Sequence, residues 1–375
     1  MAHHHIIGQS GTGKSTLAKE WLLAAVHDGH AVCYIDPHGH DTDELLHYIP
    51  ARRRKDVMVF DPAHYTIPWN PLDTDNPPLT ASVFADSIKA AWQYDRTPTP
   101  RMDGVLYNAL VALMEAHEGL FGLYLILSSS QYRRHVLEAI KDPVVKRYWQ
   151  WFDSLNEKQQ LEQSDSTLNK VQALMADSRI RAIAGRKSGF RIDDYVKDKV
   201  LFIRLSQGEI GVQKAALIGS LLLVQIHQAC LRRDTALPFQ LFIDEVHTFA
   251  PYTIAEMLSG IRKYNVQLTT VHQYLAQLHP LLLASVKANS TQYVFRLSFE
   301  DSRSFPELGD QELQPYELEP YQAWVFGHHK PQLVTTAPLS FQQYEASARQ
   351  IDANLRRNYC ASFLGDAAKQ LQQFS

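Results

Sequence analysis

The sequence predicts an α/β protein: a central, mostly parallel sheet with helices, interrupted by an all-helical insert. Three observations carry this. Short apolar runs alternate with helix-period segments at the start of the chain and again after about residue 199. Between them, a stretch of roughly 120 residues has helical periodicity and little strand character. One strand-to-helix turn, Gly8-Gln9-Ser10-Gly11-Thr12-Gly13-Lys14-Ser15, has the spacing G-x-x-x-x-G-K-S of a phosphate-binding loop.

The first strand ends at Ile6-Ile7, and Thr16–Leu23 after the loop has helical spacing of apolar residues. His3-His4-His5 reads as the start of that strand, with the remnant of a tag as the alternative. Gly8, Gly11 and Gly13 let the backbone curl so that several N–H groups converge on one phosphate chain. The following helix N-terminus adds partial positive charge. Lys14 is expected on the β- and γ-phosphates and the Ser15 hydroxyl on Mg²⁺. The segment from Gly8 to Thr16 is therefore the expected ATP site.

Two more strands follow. Ala31–Ile35 ends at Asp36-Pro37-His38-Gly39, and Val57–Phe60 ends at Asp61-Pro62. Two parallel strands ending in Asp-Pro place loops at one carboxyl edge, where such sheets bind ligands. His38 has no partner at ligand spacing and reads as a turn residue. The helical stretches of the insert are Ala81–Trp92, Met102–His117, Gln131–Ile140, Val144–Phe152 and Thr167–Ala176. Strands then return at Lys199–Leu205, Phe239–Ile243, Val266–Val271 and Gln292–Leu297, with a long buried helix over Gln213–Arg233. The tail after Ser340 is polar and helix-prone.

Composition sets bounds on function. The 375 residues allow two or three domains, and 45% hydrophobic with 21% charged residues is ordinary for a globular protein. A net charge of −3 gives no global signature of nucleic-acid binding, so DNA contacts require local basic patches. The candidates are Arg52-Arg53-Arg54-Lys55, Arg133-Arg134, Arg179 with Arg181, Arg186-Lys187 and Arg232-Arg233. Cys33, Cys230 and Cys360 are widely spaced and fit free thiols in a reducing compartment. No signal peptide or transmembrane segment is expected. The most apolar run, Ile218–Cys230, is broken by Gln225, His227 and Gln228.

The carboxylates after Leu241-Phe242-Ile243 supply the next chemistry. Asp244 is placed to orient the Mg²⁺ shell, and Glu245 to polarise the water that attacks the γ-phosphate. Gln273, at the end of the following strand, can hold that water or sense the γ-phosphate. Arg262, eleven residues earlier, is either a surface arginine or an arginine finger delivered to a neighbouring subunit.

In order, GQSGTGKST, YIDPHG, WNPL, LFIDEVHTF, IRKYNVQLTTVHQYLAQL and NSTQYVFRLSFED resemble the HerA/FtsK superfamily of ring ATPases. The chain looks most like the soluble motor part of conjugative type IV coupling proteins of the TraG/TraD class, as far as about Thr336. The resemblance implies a RecA-like P-loop core that assembles as a homo-hexamer and pumps DNA through a central pore. It implies functional roles for Lys14, Ser15, Asp244, Glu245 and Gln273, with Arg262 as the trans finger. Relaxosome or secretion-channel proteins are the implied partners. The expected place is the cytoplasm or, through partners, the inner face of the membrane. The expected division is 1–78 and 199–338 for the ATPase core, 79–198 for the helical insert and 339–375 for a helical tail. Two other functions fit the same motifs: an ATPase energising protein secretion or assembly, and a nucleotide-dependent DNA or relaxosome adaptor without processive movement.

Overall fold

The computed structural model describes residues 2–91, 99–187, 189–327, 329–360 and 373. The chain opens with β1 (His3–Ile7), α1 (Lys14–His27), β2 (Ala31–Asp36), α2 (His40–Leu45) and β3 (Val57–Phe60). Seven helices follow: α3 (Pro77–Ala91), α4 (Pro100–Glu115), α5 (Gly122–Ser128), α6 (Ser130–Ala139), α7 (Pro143–Ser154), α8 (Glu157–Met175) and α9 (Ser178–Ala184). Alternation then resumes with β4 (Val200–Arg204), α10 (Gln207–Ile210), α11 (Val212–Leu231), β5 (Phe239–Ile243), α12 (Pro251–Gly260), β6 (Val266–His272), α13 (Pro280–Asn289) and β7 (Ser290–Val294). After α14 (Phe299–Ser302) come β8 (Gln322–Phe326), β9 (Gln332–Thr335) and α15 (Ser347–Asn358). Trp92 and the tail beyond Cys360, apart from Gln373, lie outside the described residues.

The nine strands form one sheet in the order β3-β4-β2-β5-β6-β1-β7-β8-β9. Pairing is parallel from β3 through β7, and β7-β8 and β8-β9 are antiparallel. All residues of β2, β3 and β4 are buried, which is why they read as unbroken apolar runs. The predicted mostly parallel sheet is thus present, and the antiparallel pair β8-β9 is an addition to it.

The three N-terminal histidines belong to β1. His3 and His5 are buried, and His3 Nδ1 accepts from the Leu268 backbone N–H at 3.0 Å. They are strand residues, as the first of the two readings has it.

By contact, the chain forms two units. The first comprises Met1–Phe60, Ile192–Gly208 and Ile226–Leu355, and it holds the whole sheet. The second comprises Asp61–Arg191, Glu209–Gln225 and the described residues from Arg356 onward. In the second unit Trp149, Tyr132 and Phe152 are fully buried between helices. Asp142 caps α7 by accepting from the Val144 and Val145 N–H groups, and Asn156 and Gln159 form a capping box that starts α8. Helix α11 meets the length and apolarity needed to cross a membrane, but 78% of its apolar window is buried in the protein, as in a core helix.

Candidate functional site

Strand register assembles the site. Ile7 on β1 pairs with His272 on β6, Thr270 on β6 with Ile243 on β5, and Ile243 with Ile35 on β2. Four adjacent parallel strands therefore end together. Gly8, Gln273, Asp244 and Asp36 follow or close them at one carboxyl edge, the ligand edge of such sheets.

The loop after β1 is tightly built. Gln9 N–H donates to Arg296 O at 2.8 Å, and Thr12 Oγ1 to Gln9 O at 2.7 Å. A Cβ on Gly8 would lie 2.6 Å from Phe295 Cβ. Gly13 caps α1 with φ +107, and a Cβ there would stand 2.9 Å from Tyr321 Cδ1. Tyr321 leaves β8's start with φ 69 and donates its backbone N–H to Thr12 O at 2.8 Å. The antiparallel end of the sheet thus braces the loop. Lys14 is buried, with Nζ 2.9 Å from Gln9 O, and Ser15 and Thr16 occupy the first turn of α1. Burial lowers the Lys14 pKa against the pull of Glu245 and Asp244.

The opposing wall is acidic. Burial, with Glu245, Asp41 and Asp36 nearby, pushes the Asp244 carboxyl up to about 7. A carboxyl among other carboxylates is fitted to gain a cation, and this donor chemistry suits Mg²⁺. Asp36 has a different task. Its carboxylate accepts from the N–H groups of His38 (2.9 Å), Gly39 (2.7 Å) and Thr42 (2.8 Å), folding the turn that presents His38.

Glu245 stands in the left-handed region, φ 42, an uncommon state for a non-glycine residue at a functional position. Its Oε1 accepts from Gln273 Nε2 at 2.6 Å, and Ser10 Oγ donates to Gln273 Oε1 at 3.3 Å. The phosphate loop, Gln273 and Glu245 are thereby joined in one hydrogen-bonded line. His38 Nε2 is 4.0 Å from Glu245 Oε1, an ion-pair distance rather than a hydrogen bond. Burial alone would raise the Glu245 pKa, but His38, Gln273 and His247 outweigh it and hold it below the usual value. The carboxylate in turn raises His38.

Behind Gln273 lies a buried histidine pair. His5 Nε2 and His272 Nε2 are 2.7 Å apart with stacked rings. Gln292 Nε2 donates to Val286 O and Ser290 O, so its Oε1 is the acceptor for His5 Nδ1, at 2.5 Å. Burial lowers both histidines, keeping them neutral. His5 uses its proton on Gln292, while His272 Nδ1 lies 3.2 Å from the Tyr274 carbonyl oxygen and its Nε2 faces His5, so the one proton of a neutral His272 serves one of these two contacts.

Arg262 lies elsewhere. It is exposed, just before β6, and Gln273 follows that strand, so seven strand residues, about 20 Å, separate them. There it lines a cavity of about 410 Å³ with Lys287 and Asn289. It cannot reach its own phosphate loop.

Sequence reasoning placed Lys14, Ser15, Asp244, Glu245 and Gln273, and the structure gathers them at one edge. It passed over His247 and Gln277, and it read His38 only as a turn residue. The shared ending of neighbouring strands was the available clue for His38.

No protein-family model matches the chain, and no curated protein matches it in sequence. Its structure is similar to solved ones. The plasmid coupling protein TrwB bound to the non-hydrolysable ATP analogue ADPNP superposes with TM-score 0.64 at 17% identity, over 91% of this chain and 86% of that one. TrwB with ADP and Mg²⁺ gives 0.63 at 16%, over 91% and 86%. VirB4 of Thermoanaerobacter pseudethanolicus gives 0.66 at 16%, over 90% of each chain. The chain therefore has the RecA-like P-loop NTPase fold that TrwB and VirB4 share.

Proposed function

We propose that this chain is a Mg²⁺-dependent ATPase, a motor of the conjugative coupling-protein type. One observation carries the reading: the line Ser10–Gln273–Glu245 ties the phosphate loop to a buried carboxylate beside Asp244. Lys14 and the loop N–H groups of Gly8 to Thr16 hold the phosphates. Ser15 and Asp244 hold Mg²⁺, which neutralises charge on the phosphate oxygens when bound. Glu245 accepts the proton of the attacking water, and Gln273 reports the γ-phosphate to it. Arg262, remote from its own loop, acts on the nucleotide of a neighbour in a homo-hexamer. DNA is the proposed cargo, and the helices of 79–198 form the insert of the motor. The protein works in the cytoplasm or at the inner membrane face, through relaxosome or channel partners.

A second reading, an ATPase energising protein secretion or assembly, is favoured by the basic clusters. Arg53, Arg133 and Arg233 are buried and bonded within the fold rather than free for phosphate. The deciding experiment measures ATPase rate alone, with double-stranded DNA and with single-stranded DNA. DNA stimulation is expected. ATP hydrolysis that neither form stimulates moves the assignment to the second reading, and absence of hydrolysis refutes the ATPase.

A further inference from the structure

Glu245 Oε2 and His247 Nδ1 are both buried, and neither has a hydrogen-bond partner among the described residues; yet they face each other at 3.4 Å. A chain of contacts fixes which atom carries a proton. Gln277 Oε1 accepts from the backbone N–H groups of Gln273 (3.2 Å) and Tyr274 (3.1 Å). That end of the amide is therefore the oxygen, and Gln277 Nε2 is a donor. It meets His247 Nε2 at 3.4 Å. An amide nitrogen does not accept, so His247 Nε2 is the acceptor, and a neutral imidazole of this kind has its proton on Nδ1. That proton lies against Glu245 Oε2. The other oxygen is already held by Gln273, whose Nε2 must face the acceptor-only carboxylate while its Oε1 accepts from Ser10.

We propose that His247 is a positioning residue for Glu245: its Nδ1–H holds Oε2 while Gln273 holds Oε1. This rests on the reading of Glu245 as the base. The contacts form a closed ring, from Glu245 through Gln273 and Gln277 to His247 and back. Gln277 binds the backbone of the same segment that carries the Gln273 side chain. A shift of Gln273 toward a nucleotide would pull on both oxygens of the carboxylate at once. At 3.4 Å the pair is close but not aligned as a hydrogen bond, and a turn of the ring with a slight closing makes it one, as contacts at such sites tighten with substrate.

The test uses four substitutions and one measurement on the unaltered protein. In His247→Asn the side-chain N–H stands where Nδ1–H stood, whereas His247→Gln extends its amide toward Gln277. His247→Ala and His247→Gln should each lower kcat about tenfold, the order of one lost hydrogen bond to a charged group. KM and binding of a fluorescent ATP analogue should stay unchanged. His247→Asn should recover most of kcat. A His247→Ala kcat within twofold of wild type overturns the proposal. So does a His247→Asn enzyme no faster than His247→Gln while both bind nucleotide normally. Nitrogen-15 NMR of the ring in the unaltered protein should show the Nδ1–H tautomer, and an Nε2–H tautomer overturns the proposal whatever the variants do. Glu245→Gln separates the two readings: near-normal turnover there refutes the base, while an inactive Glu245→Gln beside a normal His247→Ala refutes only the positioning.

Discussion

Lowering the pH from 7 to 5 should loosen the first unit through the three histidines of β1. Burial lowers His3, His4 and His5 from 6.5 to about 4 each. As the pH falls through 6.5, the unfolded chain takes up protons at these sites, while the folded chain takes up few until near 4. Stability is therefore lost across that window and fully lost below it. Each histidine costs about 1.8 kcal/mol between pH 7 and 5, so the three cost about 5 kcal/mol. Asp244 works the other way. Its folded value of about 7 lies above the usual carboxylate value, so the folded state gains protons as the pH falls, returning about 2 kcal/mol. From these four groups the net loss is about 3 kcal/mol, a large share of an ordinary folding free energy, and His272, which burial also lowers, adds to it. Urea unfolding of the nucleotide-free protein at the two pH values measures it, and NMR titration of the imidazoles locates it. Ring titrations near 6.5 with an unchanged urea midpoint would refute the reasoning, and would mean that the histidines behave as a frayed appendage instead of a buried strand.

Three further outcomes are expected. Lys14→Ala should weaken both ATP binding and turnover, whereas Glu245→Gln should keep binding and lower kcat at least about a hundredfold; a Glu245→Gln enzyme of normal rate refutes the base. Arg262→Ala should lower turnover about a thousandfold, and mixing it with Glu245→Gln subunits should restore part of the activity, because intact Glu245 sites then meet intact Arg262 from neighbours. Full activity of Arg262→Ala, or of a strict monomer in sedimentation with a non-hydrolysable analogue, refutes the trans role. Gly13→Ala should destabilise the loop by about 1–2 kcal/mol, because φ is +107 and the new Cβ would stand 2.9 Å from Tyr321 Cδ1; an unchanged melting temperature refutes that strain.

The parallel strands were legible because burial on both faces writes them as unbroken apolar runs, as in Val57–Phe60 and Val200–Arg204. The hairpin β8-β9 was not read. Its outer strand is mostly exposed and carries no apolar run, whereas its inner strand carries the run Ala323–Phe326, a signal that the sequence reading passed over. Helix α8 was read only from Thr167 because its first turns, Glu157 to Ser166, hold a single apolar residue, the exposed Leu161. The capping box at Asn156 and Gln159 was the legible sign of its true start. At the site, the residues on the chain's own strand ends could be read, since motif and strand end coincide at Gly8, Asp244 and Gln273. His247 and Gln277 could not, because their roles arise from atoms brought together by register between β5 and β6, and no local spacing encodes that register.

The basic clusters show the same limit from the side of charge. Arginine pairs in a sequence look alike whether they face solvent or carbonyl oxygens. Arg233 donates to the backbone oxygens of Val196 (2.8 Å), Tyr264 (2.7 Å) and Leu237 (2.6 Å), closing the approach to β5 and β6. Arg53 binds the His30 and Asp198 carbonyls, and Arg133 the Ile126 carbonyl and the Asp153 carboxylate. Each satisfies oxygens that burial would otherwise leave unpaired, at a cost of about 1–3 kcal/mol apiece. Replacing one of them should therefore destabilise the protein, even if DNA affinity also falls. Arg134 is the informative contrast, because it is exposed beside buried Arg133. If nucleic acid meets the cluster, Arg134→Ala lowers the salt dependence of DNA binding without moving the melting temperature. An unchanged salt slope removes this cluster from the DNA path.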